Sequence, residues 1–322
     1  MDRRQFISRT AAAGVTGAGL ASLAACSSTE LKTALENENN QHQAAGILSL
    51  AQRQQGLASF ACNIEQWFRG EIPFLDRMAA AKSIGFSAVE IWNPFDKDRG
   101  RTPEIIAQRA ADVGVKITSY SPHPPNFADP KNEKPFLEWL DLTISAGKTL
   151  NIPNFNLTGH KLIKGLTVEQ MIENYTRVLK RVAPRLEAEN MIATIEPYNP
   201  FNHKGHFMYG HEPALSICRE VNSPSVKINW DFFHMQRTNG NLITHLENGF
   251  DQVAYIQLAD SPDRNQPGTG EVAYGKVLTR LRELGYPGYI GAEFFPQNKN
   301  AVQAASDLAQ LALNIELKAP SI

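Results

Sequence analysis

The chain has 322 residues, of which 42% are hydrophobic and 20% charged, the proportions of an ordinary soluble globular protein. A formal net charge of −1 argues against a large basic field for gripping nucleic acid, leaving room only for a local patch. Three cysteines, Cys26, Cys62 and Cys218, form neither a zinc-finger spacing nor a CxxC pair, so no structural disulfide is expected.

Residues 1–26 read as a targeting segment rather than as fold. Paired arginines in Arg3-Arg4-Gln5-Phe6-Ile7 precede a mildly apolar run over 11–25, too short and too weak to span a bilayer. The pattern resembles a bacterial twin-arginine export signal, with departures at Asp2 and Ser8, where Ser or Thr and Lys are usual. Leu23-Ala24-Ala25-Cys26 resembles a lipobox, which implies lipidation of Cys26 and an anchored protein on the exported, periplasmic side. Residues 27–55 are polar, including Glu36-Asn37-Glu38-Asn39-Asn40-Gln41, and read as a tether with room for a short helix.

A strand–helix rhythm then fills 56–322, read as one domain. Strands are expected at 57–62, 88–92, 116–120, 154–157, 192–196, 227–231, 254–258 and 289–293. Helices are expected at 72–84, 102–113, 136–149, 167–189 and 272–284. Gly85, Gly114 and Gly285 fall at helix C-cap positions. Such alternation implies parallel βαβ units, and eight of them close into a (β/α)8 TIM barrel. An open doubly wound sheet would carry GxGxxG at its first turn; here that turn reads Asn63-Ile64-Glu65-Gln66-Trp67. The later Gly268-Thr269-Gly270 reads as a loop turn.

Barrel chemistry sits at the C-terminal strand ends. The fifth strand ends Ile195-Glu196-Pro197 and the sixth Asn229-Trp230-Asp231, with His234 following. The seventh carries Gln257 before Ala259-Asp260, and the eighth ends Ala292-Glu293-Phe294. Negative charge crowded in one buried space calls for compensation, most simply by a divalent cation. Glu196, Asp231, Gln257 and Glu293 are the expected ligands. Their oxygens suit Mg²⁺ or Mn²⁺ better than a thiolate-bound zinc. Each residue also has a plainer reading. Glu196 and Glu293 could pair with arginines at the mouth, Asp231 could cap a helix, Gln257 could face the helix layer, and Asp260 could organise a loop.

Four stretches resemble the hydroxypyruvate isomerase branch of the sugar isomerase/epimerase barrels. They are Ile195-Glu196-Pro197 with Asn199, Asp231-Phe232-Phe233-His234-Met235-Gln236-Arg237, Gln257-Leu258-Ala259-Asp260-Ser261-Pro262-Asp263-Arg264 running on to Glu271, and Gly291-Ala292-Glu293-Phe294-Phe295-Pro296-Gln297. The similarity also reaches Phe60-Ala61-Cys62-Asn63 and Ala88-Val89-Glu90-Ile91-Trp92. It implies a metal held by Glu196, Asp231, Gln257 and Glu293, with Glu196 and Glu293 as the proton-transfer pair. It also implies substrate contacts from His234, Arg264, Asn63 and Tyr120. Tyr120 stands where a histidine is expected, and His123 either replaces that histidine or is a loop residue.

The implied reaction is isomerisation of an α-hydroxy carbonyl compound through an enediolate, as in hydroxypyruvate to tartronate semialdehyde. His234 would hold or shuttle a hydroxyl proton, and Arg264 would pair with a substrate carboxylate. Hydroxypyruvate is an intracellular metabolite, so an exported epimerase or lyase of sugars or keto-sugars is an alternative on the same residues. A non-catalytic sugar-binding lipoprotein is another, although it would not need both glutamates. A Schiff-base aldolase would need a lysine at an inner strand end, whereas Lys116 and Lys227 lie at strand beginnings. A zinc endonuclease would need more histidines. Partners are expected to be small molecules, with a membrane contact only through the anchor and with homo-oligomers left open. Trp67, Trp92, Phe95, Tyr198 and Phe232 could wall a sugar-like ligand or pack under long loops.

Overall fold

The computed structural model describes residues 46–96, 100–158 and 160–320. The targeting segment and residues 27–45 of the tether therefore lie outside the described residues. Residues Leu50–Ile322 form one compact unit.

Eight parallel strands pair in sequence order and close on themselves. They are β1 (Phe60–Asn63), β2 (Ala88–Ile91), β3 (Lys116–Tyr120), β4 (Asn154–Leu157), β5 (Ile192–Ile195), β6 (Val226–Asp231), β7 (Val253–Leu258) and β8 (Ile290–Ala292). This is the expected TIM barrel. The strands are short and almost wholly buried because helices cover one face and barrel-filling side chains the other, so they read as near-continuous apolar runs. Closure pairs Ala61 with Gly291 and Cys62 with Ala292. Cys62 and Cys218 are buried and free.

Local signals set the helix ends. Thr102 accepts from the Ile105 amide ahead of Pro103, starting the helix Pro103–Val113, which Gly114 ends at φ 71°. Thr167 and Gln170 form a reciprocal capping box on the helix Val168–Ala188.

Two places add to the expectation. Residues 50–55, read as tether with room for a short helix, do belong to one, α1 (Leu50–Gly56), which packs on the last helix, α10 (Ala301–Asn314). The reason is close approach: a Cβ on Gly56 would lie 2.5 Å from the Ala309 carbonyl oxygen. Arg53 also donates from Nε to the Ile84 carbonyl at 3.0 Å. The second place is β3. Its register against β2 runs Val89↔Ile117 and then Ile91↔Tyr120, so β3 carries one extra residue. That bulge reverses the alternation after Thr118, whose hydroxyl meets Tyr255 Oη at 2.8 Å, and turns Tyr120 toward the helices.

Candidate active site

The carboxylates gather where the strands end. Glu196 and Glu293 each extend the ladder one residue past their strands, their amides donating to Leu157 O and Leu258 O, both at 3.1 Å. Between them Asp231 closes β6 and pairs in register with Gln257 on β7. Glu196, Asp231 and Glu293 are all buried. Contacts join them in a row. His234 Nε2 lies 3.4 Å from both Glu196 Oε1 and Asp231 Oδ2. Arg264 Nη2 lies 3.3 Å from Asp231 Oδ2 and 3.0 Å from Glu293 Oε2. Five expected residues thus share one cluster: Glu196, Asp231, His234, Arg264 and Glu293.

Three of the plainer readings hold alongside this one. Glu293 is salt-bridged to Arg264. Asp231 caps the short helix Phe232–Thr238 through Oδ1, which accepts from the Phe233 amide at 2.9 Å, and presents Oδ2 to the cluster. Asp260 organises a loop: it accepts from the backbone amides of Ser261, Gly268, Gly270 and Val272. That loop presents Arg264, whose own backbone sits in the left-handed region at φ 59°. This conformation costs a non-glycine residue about 1–2 kcal/mol, and hydrogen bonds from the Arg264 amide to Asp260 O and from the Phe295 amide to Arg264 O hold it.

Burial governs the electrostatics. It raises the Glu196 carboxyl above its usual range, against the opposing pull of Arg264 and the Asn156 amide. Burial lifts Glu293 well above that range, with Arg264 opposing and Glu196, Glu90 and Asp231 adding repulsion. For Arg264, burial works against the charge, but Glu293, Asp231 and Glu196 outweigh it. His234 is held neutral, lowered to about 3 by burial, with Asp231 pulling the other way.

The remaining expected residues sit differently. Gln257 lies below the cluster, donating from Nε2 to Glu90 Oε1 at 3.0 Å and accepting at Oε1 from Asn229 Nδ2 at 2.5 Å. It faces the barrel interior, not the helix layer. Asn63 also donates to Glu90 Oε1, at 2.7 Å, and is fully buried. Tyr120 stands apart, because its hydroxyl donates to Thr143 O in the helix Glu133–Leu150 and its ring packs on Phe155. The β3 bulge is the cause, and the substrate contact expected of Tyr120 has no counterpart in this geometry. Of the aromatics, Trp67 is packing, its indole donating to Ala292 O at 2.8 Å, and Phe232 is fully buried. Trp92 is a site residue of another kind, since its indole N–H donates to Glu293 Oε1 at 3.2 Å.

Five residues have a place in the site that the sequence did not assign. Glu90 on β2 is a buried carboxyl raised to about 7 by burial, with Asn63, Gln257 and Tyr255 donating against the shift. Gly291 makes room for it, because a Cβ there would lie 2.3 Å from Glu90 Oε2. Asn156 donates to Glu196 Oε2. Gln66 donates to Glu293 Oε1 at 3.4 Å. Asn199 Nδ2 contacts His234 Nδ1 at 2.7 Å. A usable signal existed for Glu90, a charge inside an otherwise apolar strand, and for Asn199, which stands in the stretch with Glu196; Gln66 and Asn156 carry none.

Among the described residues, Glu196, Asp231 and His234 are the group of acidic, histidine or cysteine side chains close enough to hold a metal ion. The xylose isomerase-like TIM barrel family matches residues 78–311. Hydroxypyruvate isomerase of Escherichia coli (strain K12) is 28% identical over 242 residues, which cover 74% of this chain and 93% of that protein. The 2-oxo-tetronate isomerase of Haemophilus influenzae is 26% identical over 255 residues, 76% of this chain and 95% of that protein. The crystal structure of AP endonuclease, family 2 from Brucella melitensis shares the fold with a TM-score of 0.70 at 25% identity, over 78% of this chain and 98% of that one. With an eight-stranded barrel, carboxylates at the ends of β5, β6 and β8, and these relatives, the chain belongs to the xylose isomerase-like TIM barrel family and is an isomerase of that family.

Proposed function

We propose that this isomerase moves a proton between adjacent carbons of a small α-hydroxy carbonyl acid, with the conversion of hydroxypyruvate to tartronate semialdehyde as its simplest form, and that it needs one divalent metal. The observation that carries this reading is the row Glu196–His234–Asp231–Arg264–Glu293, which sets two buried glutamates at the two ends of one run of polar contacts.

The donor set fits a hard cation. Three buried carboxylates face one guanidinium, and His234 is neutral, so negative charge is left over in a place where it is costly. Glu196, Asp231 and Glu293 would hold the ion, with the second lone pair of Gln257 Oε1 as a further donor. All are oxygen ligands, as Mg²⁺ or Mn²⁺ prefers. When bound, such an ion supplies a Lewis acid that polarises a carbonyl and stabilises developing negative charge.

The protein's own groups do the rest. One glutamate, as carboxylate, takes the proton from the hydroxyl-bearing carbon, and the electron pair moves toward the carbonyl to give an enediolate. The other glutamate, as carboxylic acid, delivers a proton to the former carbonyl carbon. The hydroxyl proton ends on the former carbonyl oxygen, so the product is an isomer with no atom gained or lost. The upward shifts of Glu196 and Glu293 suit groups that must both give and take protons. Gln66, Trp92 and Asn156 hold the two carboxylates in place. Arg264 offers the fork that a substrate carboxylate would use.

The test is proton exchange. Mg²⁺-loaded protein is incubated in D₂O with hydroxypyruvate, 2-oxo-tetronate, ketoses and keto-glycosides, and carbon-bound deuterium is followed by NMR. Metal-dependent exchange is expected with a hydroxy-oxo acid. Exchange confined to the sugars would move the assignment to an epimerase or lyase, and silence from every compound despite bound metal would overturn it. The proposal includes export and a lipid anchor at Cys26; Cys26→Ser should release the protein from the membrane fraction.

A further inference from the structure

We propose that Asn199 is a positioning residue that fixes the tautomer of His234, so that His234 presents an N–H donor to a substrate oxygen and is not a metal ligand. This rests on the proposed isomerase reading, and it assigns a role to a residue that touches no reacting atom.

Hydrogen-bond polarity sets the tautomer. Asn199 is completely buried in the loop after β5. Its Oδ1 accepts from two backbone amides, Phe201 N at 3.0 Å and Asn202 N at 2.9 Å. A flipped amide would set its NH₂ against two N–H groups, so the orientation is locked. Nδ2 is then the atom facing His234 Nδ1 at 2.7 Å. Nδ2 can only donate, so Nδ1 must accept. A neutral imidazole that accepts at Nδ1 carries its proton on Nε2.

The consequence lies at Nε2. This atom is buried and has no hydrogen-bond partner. It lies 3.4 Å from Glu196 Oε1 and from Asp231 Oδ2. By distance alone Glu196, Asp231 and His234 look like a three-ligand metal site. The tautomer argues otherwise, because Nε2 has no lone pair to offer while Asn199 holds the other nitrogen. A donor left unmade in a buried pocket is costly, and a ligand oxygen between the two carboxylates would satisfy it. The hydroxyl or carbonyl oxygen of an α-hydroxy carbonyl compound is of that kind. His234 would then bind that oxygen and stabilise it as charge develops. Rings on other sides keep the imidazole in place: Tyr198 at 5.3 Å, His203 at 5.2 Å and Phe233 at 5.5 Å between centroids.

The test uses the full chain labelled with ¹⁵N-histidine and loaded with diamagnetic Mg²⁺, with His234 resonances assigned by comparison with His234→Gln. Long-range ¹H–¹⁵N spectra should show a protonated Nε2 and an unprotonated Nδ1, before and after Mg²⁺ is added. The opposite tautomer, or loss of the Nε2 proton on adding Mg²⁺, overturns the proposal. Mn²⁺ titration of His234→Gln should give an affinity close to that of the parent; a loss of about a hundredfold would make His234 a ligand and overturn it as well. Asn199→Ala should allow the other tautomer and lower kcat about tenfold to a hundredfold, with a smaller change in KM. An unchanged kcat and tautomer in that variant would remove Asn199 from the role. Should Asn199→Ala fail to fold, the parent spectra still decide. Neither the spectra nor the Mn²⁺ titration needs a substrate. If no compound turns over, the proposed reaction fails while the tautomer assignment stands or falls on its own.

Discussion

The two halves of the barrel divide the work at its mouth. Strands β5 to β8 end in the carboxylates and in Gln257, and their loops bring His234 and Arg264. The first half supplies neutral donors aimed at those charges: Gln66 and Trp92 donate to Glu293, and Asn156 donates to Glu196. Of its buried acids, Glu65 is paired with Arg101, and Glu90 is met by three neutral donors, Asn63, Gln257 and Tyr255. A buried carboxylate surrounded by neutral donors is stabilised with little change in net charge, whereas carboxylates facing each other retain a deficit that a ligand or cation can fill. One half creates the electrostatic demand, and the other half fixes the positions from which it acts.

That division can be broken by experiment. The largest effect should come from the charged half: Glu293→Gln should lower kcat by about 10²–10⁴-fold, since proton transfer itself is lost. A normal rate in steady-state assays would end the assignment. Next come the supporting donors. Trp92→Phe or Asn156→Leu should each cost about tenfold to a hundredfold in kcat while Mn²⁺ affinity changes less. If either variant lost metal binding as completely as Asp231→Asn, the two halves would not be separable in this way.

The floor beneath the site gives a stability effect. Gly291→Ala would press a methyl group against Glu90 and should destabilise the fold by about 1–3 kcal/mol in urea titration. Adding Glu90→Ala removes the obstructing carboxyl and should recover part of that loss; no recovery would mean the strain lies elsewhere. The smallest effect belongs to the helix layer. Hydrogen bonds from Arg177 and Arg181 hold the Glu133 carboxyl below its usual range. Its stabilisation is therefore present above the ordinary carboxylate range and is lost as pH falls through the depressed folded-state value. Solvent screens this partly exposed pair, so Glu133→Gln should cost about 0.5 kcal/mol at neutral pH. The difference from the parent should vanish in acid, and a difference that persists there would point to packing instead of charge.

The same division explains what could be seen in the sequence. Glu196, Asp231 and Glu293 stand out because a charge at the end of an apolar strand needs a reason. His234 and Arg264 follow from their stretches. Gln66 and Asn156 are ordinary polar residues near strand ends, and nothing in their spacing marks them as aimed inward. The substrate contact expected of Tyr120 rests on the resemblance alone, and the single residue that the β3 bulge inserts, which turns the side chain toward the helices, leaves no mark in the sequence. Eight strands were legible because short β-rich runs alternate with longer amphipathic ones. The helix Leu50–Gly56 was legible only as room for a short helix, without bounds, because its polar sequence buries little beyond Arg53 and Gly56. Its reason for being helical is the surface of α10 at the far end of the chain.

That last contact bears on how the molecule assembles. β1 finds its second neighbour in β8, and α1 packs on α10. Both unions join segments separated by nearly the whole barrel, so the ring stays open during synthesis until its final strand and helix have emerged. Until then β1 exposes an unpaired edge, and such edges invite pairing with other chains. Glycine at position 56 lets the first and last helices of the barrel unit meet backbone to backbone, as a clasp on the closed ring. A stop just before α10 should therefore leave α1 without that helix to pack on and lower the soluble yield, as read from the soluble fraction on expression.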